Sequence, residues 1–448
     1  MNRNGPNHQS NPAYLADSST ILQQGIGRNR DGERVGVYAV CSAHPSVIDG
    51  AVQQSIADES VLHVESTSSQ VNQFGGYARK TPRQFADFIH SIAEQAGLPA
   101  QRVLLGADHL GPFPWRDQPS KQALEKACEL ARACVLAGYK KIHLDASMPC
   151  ADDQAELAET VVAQRAALLC EAAERAFQEL PPGSLPLLYV IGTEVPAPGG
   201  ASGPGEGPVV TTVESIRRTL EHFRTSFAGR HLSSAWDRVI GLVVQPGVEF
   251  GEDEVIDYER SKAHLLVTAL PQHPPIVYEA HSTDYQSSSA LAQMVEDHFA
   301  ILKVGPWLTF AFREAVFALT AIERETVNGK AVRLSQVREA LDAAMLRNPS
   351  YWRSYYHGDE DHLRRARAYG YSDRCRYYWH EPGVQEELSR LVANVTAFSP
   401  PPGLISQYLP AEYAAIRAGE LELNAAKMIQ HHIRTVLRIY AVACHPNP

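Results

Sequence analysis

The chain has few cysteines, no excess of positive charge and no long apolar run. Its seven cysteines (Cys41, Cys128, Cys134, Cys150, Cys170, Cys375 and Cys444) are odd in number, scattered, and contain no C-x-x-C pair. That argues against a structural zinc finger or a dithiol redox motif, and reads instead as reduced thiols in a cytoplasm. Lys and Arg total 41 against 51 Asp and Glu, for a net charge of -10. There is thus no basic footprint for nucleic acid or for an acidic membrane, although a small anionic substrate remains compatible. No apolar stretch approaches the roughly 20 residues of a membrane span. The opening "MNRNGPNHQSNPAYLADSST" lacks the apolar core of a secretory signal, and residues 1–30 are expected to form a loose tail. The chain also lacks G-x-x-x-x-G-K-[ST] and any G-x-G-x-x-G after a strand, which speaks against a P-loop kinase and a dinucleotide-dependent oxidoreductase. "GGASGPGEGP" (199–208) is glycine-rich but has no Lys and no helix start, so it reads as a loop.

What is present is a repeated alternation. Eight β-rich apolar runs, "VGVYAVCSAH" (35–44), "VLHVES" (61–66), "VLLGADH" (103–109), "KKIHLDAS" (140–147), "LPLLYVIGTEV" (185–195), "RVIGLVVQPGV" (238–248), "PPIVYEAHS" (274–282) and "FAILKVGP" (299–306), are each followed by a helical pattern. "SKQALEKACELARACVLAGY" (120–139) is one such helix, with apolar residues returning every three or four positions. Continuous apolar strands alternating with amphipathic helices argue for buried parallel strands, and a count of eight predicts a closed (β/α)8 TIM barrel over residues 31–325. Beyond it, residues 326–448 contain the Tyr-, Trp- and Arg-dense stretch 348–379, a proline-rich segment at 393–410 and a final helical pattern, expected to be a helical extension packed on the barrel.

Nearly every run ends in polar residues. In a barrel those C-terminal edges converge on one face, where such folds carry their chemistry. Asp108-His109 supplies a carboxylate beside an imidazole, His281 a second imidazole, and Glu194 and Gln245 further oxygen donors. Two His with one or two oxygens make a reasonable open site for Zn²⁺ or a similar divalent ion, although on their own an Asp-His pair can equally be a surface pair or a satisfied core histidine.

The strand-end motifs "GADHLGP", "KIHLDAS", "VYEAHSTD" and "ILKVGPWLTFAFREA" resemble, in order, the landmarks of the class II metal-dependent aldolases. With "CSAHPSVI", "ESTSSQVNQFGGY", "YVIGTEVPAPGG", "VVQPGVEF" and "GLISQYLP", the resemblance extends from about residue 35 to near the C-terminus and is to the larger, non-catalytic subunit family of bacterial tagatose-1,6-bisphosphate aldolase. That family includes chains described as supporting a catalytic aldolase, chains named tagatose-6-phosphate kinases, and 4-epimerases interconverting D-tagatose 6-phosphate and D-fructose 6-phosphate. The resemblance implies Asp108 as the acid/base carboxylate and His109 and His281 as metal ligands. The departures are informative: "QPGVEF" with Gln245 stands where the aldolases carry another ligand His, and "HSTD" and "VGPWLT" stand where they cradle the C1 phosphate.

A metal site without that cradle suits a ketose monophosphate, and the expected activity is metal-dependent 4-epimerisation by retro-aldol/aldol chemistry, in hexitol or galactitol catabolism. The alternative is a non-catalytic subunit that stabilises a class II aldolase partner. The expected cofactor is a divalent metal, taken as Zn²⁺. Asp108 is the first catalytic candidate, and Glu194 or Glu279 the second, unless Glu194 is a ligand. His44 and Glu65 line the pocket or support it; Asp145 either meets substrate or orients a ligand His. Lys303 touches substrate or pairs with a carboxylate. Arg374 and Tyr377 clamp the distal phosphate or serve aromatic packing of the extension. The expected partner is a small sugar phosphate, and homo-oligomerisation is compatible with the chain.

Overall fold

The structure, a computed structural model, describes residues 17–193, 207–270 and 276–445. Eight parallel strands close a barrel in the order β1 (Val37–Val40), β10 (Ile301–Val304), β9 (Val277–Ala280), β6 (Val239–Val243), β5 (Leu188–Ile191), β4 (Lys141–Leu144), β3 (Val103–Leu110) and β2 (Leu62–Thr67). Six lie within the apolar runs, and β2 and β3 each extend one residue beyond theirs. The two further strands, β7 (Glu249–Phe250) and β8 (Val255–Ile256), form a small antiparallel hairpin after β6. Strands shielded on both faces need no solvent-facing alternation, and every residue of β3, β4, β5, β6, β9 and β10 is buried.

Among the described residues, seven ring helices follow the pattern, including Pro82–Gln95, which a Thr81/Gln84 capping box starts, and Ser120–Leu136. The helix after the last strand, Pro306–Val327, is joined by the final helix, Ala425–Cys444. That final helix packs against β1 and against the helices Pro45–Ala57, Ser288–Glu296 and Pro306–Val327. The C-terminal extension is therefore part of the ring as well as a layer outside it. No helix among the described residues is long and apolar enough to cross a membrane.

The tail expectation fails for residues 18–30. Ser18–Arg30 is a helix capped by Asp17, and its Leu22 and Ile26 pack against the barrel residues Leu104, Leu188, Val190, Ile240 and Val277. Ser18 Oγ donates to the Val103 carbonyl and Arg30 to that of Ile276, fixing the helix across the N-terminal mouth. Two apolar residues four apart in a polar segment give almost no periodic signal, yet they suffice to plug an open barrel end.

Candidate active site

The site begins with a break in β3. Adjacent strand residues point to opposite faces, so Asp108 and His109 could not both face the barrel axis in a regular strand. The register between β3 and β4 shifts between Ala107 and Leu110, and His109 adopts φ 45°. The bulge turns both side chains toward the same region. Gly111 then has no room for a side chain: a Cβ there would come 1.6 Å from the Asp145 carbonyl oxygen.

Behind the bulge lies a buried charge network. Lys141 Nζ donates to Glu65 Oε1 at 2.7 Å and approaches Glu279 Oε2 at 2.5 Å. Lys303 pairs with the other oxygen of Glu65 and stands 2.9 Å from Asp108 Oδ1. Burial alone would raise the pKa of Asp108; the Lys303 ammonium, His109 and the His143 hydrogen bond outweigh it and hold the carboxyl well below its usual range. Glu279 is likewise kept ionised against its burial, by Lys141 and Lys303.

Three imidazoles converge beside this network. His143 Nδ1 lies 3.1 Å from Asp108 Oδ1, and its ring centroid is 5.3 Å from those of both His109 and His281. His281 Nε2 lies 3.0 Å from Glu279 Oε1, and burial lowers its pKa to about 4, so the ring is neutral at pH 7. His109 Nδ1 is held by Asp145 Oδ2 at 2.8 Å. Burial opposes protonation of His109, but Asp108 and Asp145 together raise its pKa. Asp108, His143, Glu279 and His281 each offer a donor atom, all within 4.8 Å of one another. The buried His143 Nε2 has no hydrogen-bond partner. Two imidazoles and two ionised carboxylates gathered so closely are the donor set that suits a divalent cation.

A cavity of about 270 Å³ opens above this group. Asp108, His109, His281 and Lys303 face it from the barrel; Tyr355, Arg374, Arg376 and Tyr377 face it from the extension. Asp284, on the loop after β9, also borders it; burial pushes its pKa up to about 6, against two backbone hydrogen bonds.

The remaining sequence candidates fall in different places. The Gln245 side-chain oxygen is engaged in its own turn, accepting the backbone N–H of Gly247 at 2.8 Å and of Val248 at 3.1 Å. Glu279 is fully buried among Lys141, Lys303 and His281 and does not border the cavity. Glu65 is also fully buried, in the charge network, and supports the pocket without lining it. His44 packs on Phe312, ring centroids 4.2 Å apart, away from the cavity lining. Asp145 sits behind His109 instead of bordering the cavity. Arg374 borders it and also stacks on Tyr355, 3.2 Å from the ring centroid. Glu194 lies outside the described residues.

Sequence reasoning missed Lys141, His143, Asp284 and Arg376. The first two had a readable signal: Lys141, His143 and Asp145 alternate along "KIHLD", the spacing of side chains on one face of a strand.

A model of the family described as D-tagatose-1,6-bisphosphate aldolase subunit GatZ/KbaZ-like matches residues 22–445. A crystal structure of a probable tagatose 6 phosphate kinase from Sinorhizobium meliloti 1021 is similar at 39% identity and a TM-score of 0.83, covering 91% of this chain and 100% of that one. Weaker likenesses are to the YdjI aldolase of Escherichia coli K12 (10% identity, TM-score 0.40, covering 86% of this chain and 98% of that one) and to fructose-bisphosphate aldolase of Campylobacter jejuni (13%, 0.42, 86% and 94%).

Proposed function

Because the chain belongs to the D-tagatose-1,6-bisphosphate aldolase subunit GatZ/KbaZ-like family, we propose that it is a metal-dependent 4-epimerase acting on a ketose 6-phosphate, interconverting D-tagatose 6-phosphate and D-fructose 6-phosphate. The observation that carries the reading is Asp108, a carboxylate kept ionised by Lys303 at 2.9 Å, which is the member of the four-donor group that, with His281, borders the cavity. A scaffold subunit has no physical need for an ionised base at the mouth of a buried donor cluster.

His143, His281 and Glu279 would hold the cation, beside Asp108, the fourth donor of the group. Bound there, a divalent ion, taken as zinc from its taste for mixed imidazole and carboxylate donors, supplies positive charge to oxygens that turn anionic as the C3–C4 bond breaks. Asp108 takes the proton of the C4 hydroxyl, and the C3–C4 electron pair moves toward the C2 carbonyl. This yields a three-carbon enediolate and glyceraldehyde 3-phosphate. If the aldehyde turns before the bond reforms, the configuration at C4 inverts and nothing is released. Asp145 keeps His109 oriented at the cavity wall, and Lys303 keeps Asp108 ready to accept. For the acid or base that serves the opposite face, the sequence offers Glu194, in the fifth apolar run.

The family's own description favours a second reading, a subunit that supports a separate catalytic aldolase. A kinase, the activity named for the Sinorhizobium structure, is not proposed here, since the sequence has no phosphate-cradling G-x-x-x-x-G-K-[ST]. Incubating the purified chain with D-tagatose 6-phosphate, with and without a chelator, decides between enzyme and subunit. The expected result is fructose 6-phosphate from the parent protein and none from the chelated protein or from Asp108→Asn. No turnover after metal reconstitution would sink the epimerase, and stimulation of an aldolase chain would then be the activity to measure.

A further inference from the structure

The usual phosphate seat of an α/β barrel lies between the loops after its seventh and eighth strands, at a helix N-terminus. Here that seat is already filled. Asp284, three residues after His281, accepts the backbone N–H groups of Gly305 at 3.0 Å and Trp307 at 2.8 Å, both on the same carboxylate oxygen. These donors open the helix Pro306–Val327, and a second anion beside Asp284 would be repelled.

Cationic charge is offered instead by the extension. Arg376 borders the cavity, pinned by the Ser372 and Asp373 carbonyls and by the Tyr377 hydroxyl at 2.7 Å. Among the described residues no carboxylate pairs with it at ion-pair distance, although Asp284 and Asp373, the latter bound to Arg313 at 2.9 Å, are near enough to feel its charge. Arg374 stands in the same wall, and the Tyr77 and Tyr377 rings meet edge to face at 4.6 Å. A half-buried guanidinium with no carboxylate in direct contact, with N–H groups to spare and phenols alongside, is suited to a phosphate monoester dianion.

We infer that Arg376, with Arg374 and the Tyr77 and Tyr377 hydroxyls, forms the seat for a single terminal phosphate, and that Asp284 closes the barrel's own seat to a second one. This rests on the ketose-phosphate reading above and narrows it to monophosphates.

Calorimetric titration of the full chain, reconstituted with zinc, tests it with D-fructose 6-phosphate, D-fructose 1,6-bisphosphate, D-fructose and inorganic phosphate. The parent should prefer the monophosphate to both D-fructose and the bisphosphate. Arg376→Met should weaken the monophosphate by about 30-fold and leave D-fructose unchanged. Tyr77→Phe, which keeps the ring packing, should weaken it several-fold. Equal binding of D-fructose and its 6-phosphate by the parent, equal binding of the bisphosphate, or an undiminished phosphate preference in a folded Arg376→Met protein would overturn the seat without touching the epimerase reading. Phosphate binding that is lost in Arg376→Met, in a chain that does not convert the ketose phosphate, would uphold the seat and sink the epimerase.

Discussion

Lys141 Nζ reaches Glu65 Oε1 at 2.7 Å across a strand that separates their own, and the residue between them in register is Gly106. A Cβ at Gly106 would come 2.7 Å from Glu65 Cγ, so the ion pair exists because β3 leaves a gap there. The pair in turn anchors Lys303 and Glu279, and through them the ionised Asp108. Gly106→Ala should push Glu65 off Lys141 and leave buried charge poorly paired, lowering stability by about 2–4 kcal/mol. A urea midpoint that stays at the parent value would refute that reading of the glycine.

The N-terminal plug makes a separate prediction. Ile26 and Leu22 seal the end of the barrel opposite the candidate site, so Ile26→Ala should cost about 2–4 kcal/mol by leaving a cavity in that cluster. Turnover per folded molecule should be unchanged, since catalytic groups sit at the other mouth. Thermal melting alongside an assay at low temperature separates the two effects. A loss of turnover without a loss of melting temperature would mean that the two mouths are coupled.

How much of this could be read from residues alone depends on how each feature declares itself. The eight strands were legible because doubly buried strands are continuous apolar runs, and Asp108, His109 and His281 because polar residues at the ends of such runs stand out. The β7–β8 hairpin has two residues in each strand, too few for any period to show. Gln245 looked like an oxygen donor because a sequence does not reveal that an amide will close its own turn. Glu279 carries the right group for catalysis, but only packing reveals that Lys141 and His281 enclose it. Arg376 sits in an aromatic stretch whose nearness to the barrel mouth is set by a chain reversal of the extension, which has no local signature.

The extension carries a pH-sensitive clamp of its own. Glu412 Oε1 lies 2.9 Å from His431 Nδ1 and 3.3 Å from His432 Nδ1, and Glu314 lies 3.5 Å from His432 Nε2. Burial opposes the charge on His432, but Glu314 and Glu412 raise its pKa from 6.5 to about 9. Glu412, despite its burial, falls from 4.5 to about 2 through its bonds to His431 and His432. A raised His contributes stability that is complete below pH 6.5 and fades as pH rises through 9; a lowered Glu contributes above pH 4.5 and fades toward pH 2. Melting temperature should therefore fall between pH 7 and 9 in the parent, and His432→Gln should flatten that part of the profile. A parent and variant with parallel slopes would exclude His432 as the titrating group.

The sharpest test of the candidate centre compares two residues that a sequence treats alike. His143 belongs to the four-donor group, its Nδ1 3.1 Å from Asp108, while both hydrogen bonds to the Gln245 oxygen come from its own turn. If the four-donor group binds a cation, His143→Ala should lose about 10- to 100-fold in zinc affinity, the cost of removing one imidazole from a small donor set. Gln245→Ala should keep the affinity of the parent and lose some stability through its freed turn N–H groups. Metal content after dialysis against graded chelator, measured by elemental analysis, reads this without any assay of turnover. Zinc retained by His143→Ala and lost by Gln245→Ala would move the centre to the β6 side of the barrel and take the role of Asp108 with it.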